Sequence, residues 1–466
     1  MVSRRRWMVT FAGALTLGLT ALGCDNKGSS EAKPEGTGSP AAASPSEWKI
    51  GAYFSLSGAE TQFGVDSKEG IDLAIDEVNK AGGVKGKPIK VLFEDDKSTP
   101  QEANNKVLQL IDRDKVVALL GEVASARSRV GGIAANKKKV PMISPSSTNP
   151  DITKIGPYVF RTCFTDDVQG QMGAQFIAKT MGKKKVAILF ASDDLYSSGL
   201  AKEFRDETKK LGAEIVIEKS FLKTETNFTT YLNEIRDAKP DLIYTPIYYT
   251  QMVPIARQAK AANIPGSMFV GGDGWDAEEL VKDAGDEMEG AYFTNHYAPD
   301  VPWPNSKAFV EKYKQRYNRE PSSLSAQAYD SAKLLADAIG RAKGDTSEAI
   351  RDALAETKGF QGATGTINID ADRNADKPLV IVQIKAKKFR YFATVNDKSG
   401  LAGKDMAPPA GAAPAASGSA ATAPATGSAA PAAGSAAPAA GSPAAKDAVA
   451  PKSGGIVGKP APAPTK

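Results

Sequence analysis

Between residues 48 and 292 the chain moves repeatedly between two hydrophobic periods. Short, nearly continuous apolar runs ("WKIGAYFSL", "KPIKVLFEDD", "VVALLGEV", "VPMIS") alternate with stretches whose apolar residues recur at helical spacing ("GVDSKEGIDLAIDEVNKAGG", "TPQEANNKVLQLIDRD", "SARSRVGGIAANKKK"). The runs read as strands covered on both faces, and the alternation argues for a mostly parallel sheet flanked by helices. Gly82 closes the first helix, and a Thr-Pro pair opens the second. After "YVFRTCFTDD" the rhythm restarts: "QGQMGAQFIAKTM", "KVAILFASDD", "LAKEFRDETKKLG", "AEIVIEKSF", "FTTYLNEIRDA", "DLIYTPIY", "MVPIARQAKAAN" and "SMFVGGDG". The pattern predicts two α/β units in tandem.

The second unit is complete near Tyr292, yet a helical stretch from Pro304 to Leu354 and two strand-like runs, "GTINID" and "PLVIVQIKAKKFRYF", follow. The economical topology sends the chain back to the first unit and then returns it to the second. Crossings are expected near Thr162–Asp167, His296–Asp300 and Asp372–Pro378. Several crossings between two lobes make a hinge. Lobe 1 then comprises residues 48–165 with 297–375, and lobe 2 residues 166–296 with 376–396.

Both ends of the chain differ in composition. Residues 1–24 begin with Arg4 to Arg6, continue with an apolar stretch and end on Ala-Leu-Gly-Cys, the layout of a secretory signal peptide. That ending resembles the lipobox of bacterial lipoproteins, which implies lipidation at Cys24. A Gly/Ser/Pro-rich linker spans residues 25–47, and residues 400–466 form an Ala/Pro/Gly/Ser tail with repeated "AAPAAGS" phrases. The 59 basic and 54 acidic residues, net +5, are spread along the chain, which argues against nucleic acid as the partner. Cys163 is the only other cysteine, so with Cys24 lipidated no intramolecular disulfide is available. His296 is the one histidine, which removes most histidine-based catalysis and multi-histidine metal sites. "DADRNADK" lacks the glycine and glutamate of a calcium loop and reads as a turn. No cofactor is expected.

In open parallel sheets, ligands bind beyond the carboxyl ends of the strands. Those places here are "GEVASARS", "PSSTNP", "ASDDLYSSG", "TPIYY" and "GGDGWD", offering Ser125, Ser146 and Thr148 from one lobe and Tyr196, Tyr248 and Asp273 from the other. Hydroxyls beside a helix N-terminus bind a carboxylate without a formal positive charge. Taken singly, Ser125 reads as an N-cap and "PSSTNP" as a turn. Two such loops on adjacent strands, facing an acid on the other lobe, point to a site instead.

"IGAYFSLSGAETQFG", "AGGVKGKPIKVLFEDDKSTPQEA", "GEVASARS", "ISPSSTNPDIT", "VFRTCFTDDVQG", "DDLYSSGL", "IARQAKAANIPGSMFVGGDGW" and "AQAYDSAKLLADAI" resemble, in order, the periplasmic branched-chain amino acid-binding proteins of leucine-binding type. The resemblance covers Trp48 to Phe392. It implies the two-lobed type I periplasmic binding protein fold. It also implies a ligand carboxylate held by Ser125, Ser146 and Thr148 with backbone around Val123 and Ala124, and an ammonium held by Asp273, which stands one methylene short of the family's acid. Phe63, Tyr196, Tyr248 and Leu324 then line the pocket, with Tyr248 and Tyr249 interchangeable in register. The implied function is that of an exported, lipid-anchored, monomeric binding component of an ABC importer. Its expected ligand is an amino acid, best leucine, isoleucine or valine, and its partners are the permease subunits. Two other readings stay open: a sensor of an amide, urea or another small polar solute, and a secreted serine hydrolase using His296 as base.

Overall fold

The computed structural model describes residues 46–395. Five strands, β1 (Trp48–Phe54), β2 (Ile89–Asp95), β3 (Ala118–Leu120), β4 (Met142–Ser144) and β5 (Val159–Arg161), form a parallel sheet in the order β2-β1-β3-β4-β5. Central β1 is buried throughout except at Lys49, as a strand covered on both faces must be. The next five, β6 (Lys185–Ala191), β7 (Glu214–Phe221), β8 (Leu242–Thr245), β9 (Phe269–Gly271) and β10 (Tyr292–Asn295), belong to a second sheet. A small antiparallel sheet contains β11 (Phe360–Gly362), β12 (Gly365–Ile369) and β13 (Ala375–Asp376). β14 (Leu379–Lys385) and β15 (Lys388–Val395) then rejoin the second sheet, whose order is β15-β14-β10-β9-β8-β6-β7.

The fold is therefore two α/β lobes, and the chain passes between them at 162–165, 296–303 and 377–378. One sequence expectation needs correcting. "PLVIVQIKAKKFRYF" is a hairpin and not one strand, because Ala386 and Lys387 both take the left-handed conformation (φ 52° and 57°) that a tight two-residue turn requires. Neither residue type advertises that turn.

The helix Ser323–Arg341 comes late in sequence but packs along the early helix Thr61–Lys80. Gly70 permits this approach, since a Cβ there would lie 2.0 Å from the carbonyl oxygen of Ser325. Ser322 caps the later helix: its Oγ accepts from Ser325 N at 3.2 Å, and Ser325 Oγ accepts from Ser322 N at 2.9 Å. The cap fixes where Leu324 emerges, one residue into the helix.

Candidate functional site

The carboxyl ends of the strands in the two sheets face each other across one small, nearly filled cavity. Val123, Ser125, Ser146 and Thr148 line it from one lobe together with Phe63 and Leu324, and Tyr196, Tyr248, Asp273 and Gly274 line it from the other. Ala124 stands apart. Its N–H donates to Glu122 Oε2 at 2.6 Å, and it occupies the N-cap position of the helix Ser125–Lys137. Cys24 lies outside the described residues.

The hydroxyl-rich loop after β4 divides its side chains between two jobs. Ser144 Oγ donates to Glu122 O at 2.7 Å, and Ser147 Oγ lies 2.7 Å from Val123 O and 2.6 Å from Ser128 Oγ. The buried Arg161 donates to the carbonyls of Ser147 and Asn149 at 2.7 and 2.8 Å. These contacts tie the loop down. Ser146 Oγ and Thr148 Oγ1 are buried, line the cavity and have no hydrogen-bond partner in the described protein. Thr148 lies near the carboxyl of Asp166 without reaching bonding geometry. Buried hydroxyls left unpaired carry a desolvation penalty that an acceptor or donor arriving in the cavity would relieve.

Opposite, Asp273 is the only formally charged residue lining the cavity. Its Oδ1 accepts from Gln169 Nε2 at 2.8 Å and Tyr196 OH at 2.9 Å, while Oδ2 lies 3.1 Å from His296 Nε2. A carboxylate has about four lone-pair sites, so these contacts orient it and leave capacity for one more donor. Burial pulls the His296 pKa below its ordinary value against the pull of Asp273, which favours the neutral ring. Burial, and then the neighbouring Asp273, push the Tyr196 hydroxyl well above its usual range, so it remains a donor. Burial and Asp273 likewise raise Asp166 well above the carboxylate range.

The aromatic wall settles the register between the adjacent tyrosines. Tyr248 stacks on Tyr196 at 4.9 Å and meets Phe63 edge-on at 5.5 Å, whereas Tyr249 packs on Phe63 at 5.1 Å and donates its hydroxyl to Ala59 O at 3.2 Å. Sequence reasoning missed Gln169, Arg161 and Glu122, and it placed His296 at a crossing or as a hydrolase base, not beside Asp273. Neither ring nitrogen of His296 bonds a serine or threonine hydroxyl, which gives no support to a serine hydrolase. Cys163 is buried beneath the hydroxyl loop, 3.3 Å from Ser147 O, and burial pushes its thiol up to about 12.

A cavity between two hinged α/β lobes, with paired hydroxyls on one side and one carboxylate on the other, is an arrangement for holding a small polar molecule. The family model for periplasmic binding proteins matches residues 47–388. The chain belongs to the periplasmic binding proteins. Several relatives within that family are named for branched-chain amino acids. A Leucine-, isoleucine-, valine-, threonine-, and alanine-binding protein of Pseudomonas aeruginosa is 29% identical over 327 residues, 69% of this chain and 85% of the relative. The crystal structure of a leucine binding protein from Thermotoga maritima superposes with a TM-score of 0.71 at 35% identity, covering 75% of this chain and 99% of that one. A branched-chain amino acid transporter substrate binding protein from Streptococcus pneumoniae, in complex with isoleucine, gives 0.70 at 35% identity, covering 75% and 98%. This periplasmic binding protein thus has the two α/β units that its alternating sequence pattern predicts, in the type I fold that the family resemblance implies.

Proposed function

We infer that this periplasmic binding protein is the lipid-anchored substrate-binding component of an ABC importer for leucine, isoleucine or valine, tethered through Cys24. The observation that carries the ligand class is the pair of unpaired buried hydroxyls, Ser146 and Thr148, across one cavity from the fixed carboxylate of Asp273. The hydroxyls and the N-terminus of the helix Ser125–Lys137 take the ligand carboxylate, and Asp273 takes its ammonium. Phe63, Val123, Tyr196, Tyr248 and Leu324 surround an aliphatic side chain. Hinge closure excludes water and strengthens each polar contact, and the permease receives the ligand from the closed form. The ligands for which these relatives are named support the choice of branched aliphatic amino acids.

The test is a calorimetric and thermal-shift panel of amino acids on the full chain. Leucine, isoleucine and valine are expected to stabilise it by RT ln(1 + [L]/Kd). No response to these three, with a shift on urea or short amides, would replace the ligand class.

A further inference from the structure

At the rim of the cleft Lys223, which follows β7, crosses to the other lobe. Its Nζ lies 3.0 Å from Glu60 Oε1 and 3.3 Å from Asp194 Oδ2. Glu60 occupies the N-cap position of the helix Thr61–Lys80 in one lobe, and Asp194 caps the helix Leu195–Lys210 in the other, accepting from Ser197 N at 3.0 Å. The first helix carries Phe63 and the second carries Tyr196, both walls of the cavity. The same ammonium stands 5.1 Å from the ring centre of Tyr248, a third wall. Lys223 therefore bridges the mouths of the two helices that close on the ligand.

The charges explain why a cation belongs there. Closure brings two helix N-termini together, each with partial positive charge and each with an acidic residue at its N-cap position, of which Asp194 caps through its side chain. Glu60 also pairs with Arg127, which is buried and lies 3.0 Å from a Glu122 carboxylate oxygen; Asp96 stands 3.8 Å from the same guanidinium. One guanidinium thus serves Glu60 and Glu122, with the pKa of Asp96 beside it raised to about 8 by burial and by Glu122, and Asp194 adds a further carboxylate across the gap. Without Lys223 the closed form would set Glu60 and Asp194 against each other beneath an aromatic lid.

We propose that Lys223 is the positioning residue that holds the closed form: by bridging Glu60 and Asp194 it sets how long the bound amino acid stays. This rests on the binding function inferred above. The lysine touches no ligand-lining polar atom. Its effect belongs to dissociation and to the population of the closed form, which the bridge raises with or without ligand, not to encounter.

The experiment compares the full chain with Lys223→Met and Lys223→Arg, using leucine as probe. Stopped-flow fluorescence should show Lys223→Met releasing leucine about tenfold faster or more, with the association rate within about threefold and Lys223→Arg near wild type. A release rate for Lys223→Met within twofold of wild type overturns the proposal. Spin labels on cysteines introduced at the exposed Lys137 and Lys202 report lobe separation without any ligand. Lys223→Met should shift their distance distribution to longer values and Lys223→Arg should reverse it. If wild type binds none of the three amino acids, the functional reading falls and this distance measurement alone decides. An unchanged distribution would then overturn the latch.

Discussion

Thr148 and Ser146 are buried hydroxyls with no hydrogen-bond partner among the described residues, although Thr148 lies beside the carboxyl of Asp166. A residue kept for folding alone would be expected to find a partner, as Ser144 and Ser147 do in the same loop. Thr148→Val should therefore leave the unliganded protein as stable as wild type or more so, because it deletes an unsatisfied group, while weakening leucine binding by about tenfold or more. Calorimetric unfolding and titration calorimetry read the two signs independently. Asp273 behaves differently, since Gln169, Tyr196 and His296 all rely on it. Asp273→Ala would strand three buried partners and mix folding with binding. Asp273→Asn keeps the shape and removes the charge, and leucine affinity should fall by at least about 30-fold, as for loss of one member of a buried charge pair, measured by titration calorimetry. The residues lining the cavity were legible because strand ends and hydroxyl runs are local signals. Their supports were not. Gln169 reaches Asp273 across 104 residues of sequence, and no spacing rule encodes that meeting.

At the scale of elements, the pairing of the helices Thr61–Lys80 and Ser323–Arg341 sets the position of Leu324 and part of the cavity wall. Gly70→Ala would press a methyl group against the carbonyl of Ser325, and backbone cannot yield as a flexible side chain can. The substitution should destabilise the fold by about 1–3 kcal/mol, and chemical denaturation checks it. Helices with strong periodicity were visible in the chain, and so was the opening of Pro100–Asp112, where Thr99 Oγ1 accepts from Glu102 N at 3.3 Å. The partnership of two helices separated by a whole lobe was not, because amphipathic faces do not name their neighbours. The β14–β15 hairpin escaped for a related reason: its left-handed turn is imposed by strand pairing on Ala386 and Lys387, whose side chains give no hint of it.

Across the whole molecule, the third crossing contains a buried amine. Lys377 donates to Gln327 Oε1 at 2.5 Å and to Thr364 Oγ1, while Gln327 Nε2 donates to Pro145 O beside the hydroxyl loop at 3.0 Å. Burial lowers the Lys377 pKa to about 8, with Asp330 opposing the shift. An unfolded lysine titrates near 10.4, so between about pH 8 and 10.4 the unfolded chain binds more protons and this residue's contribution rises with pH. Below pH 8 both forms are protonated, and the penalty for burying the charge is constant. The stability of wild type relative to Lys377→Met should therefore improve by about 3 kcal/mol from pH 8 to pH 10.4, measured by denaturant titrations in parallel.

The chain leaves the first sheet after β5, builds most of the second, and returns to supply the helix Ser323–Arg341 and the strands β11 to β13. A growing polypeptide therefore cannot finish its first half until synthesis has passed the second. Through most of translation Phe54, Ile71 and Ala74, among other apolar side chains, await covering from residues not yet made. Contacts between residues so distant in sequence are closed late, so the first lobe stays incomplete while most of the chain emerges. This also means that a proteolytic fragment ending anywhere before the third crossing yields no self-sufficient half.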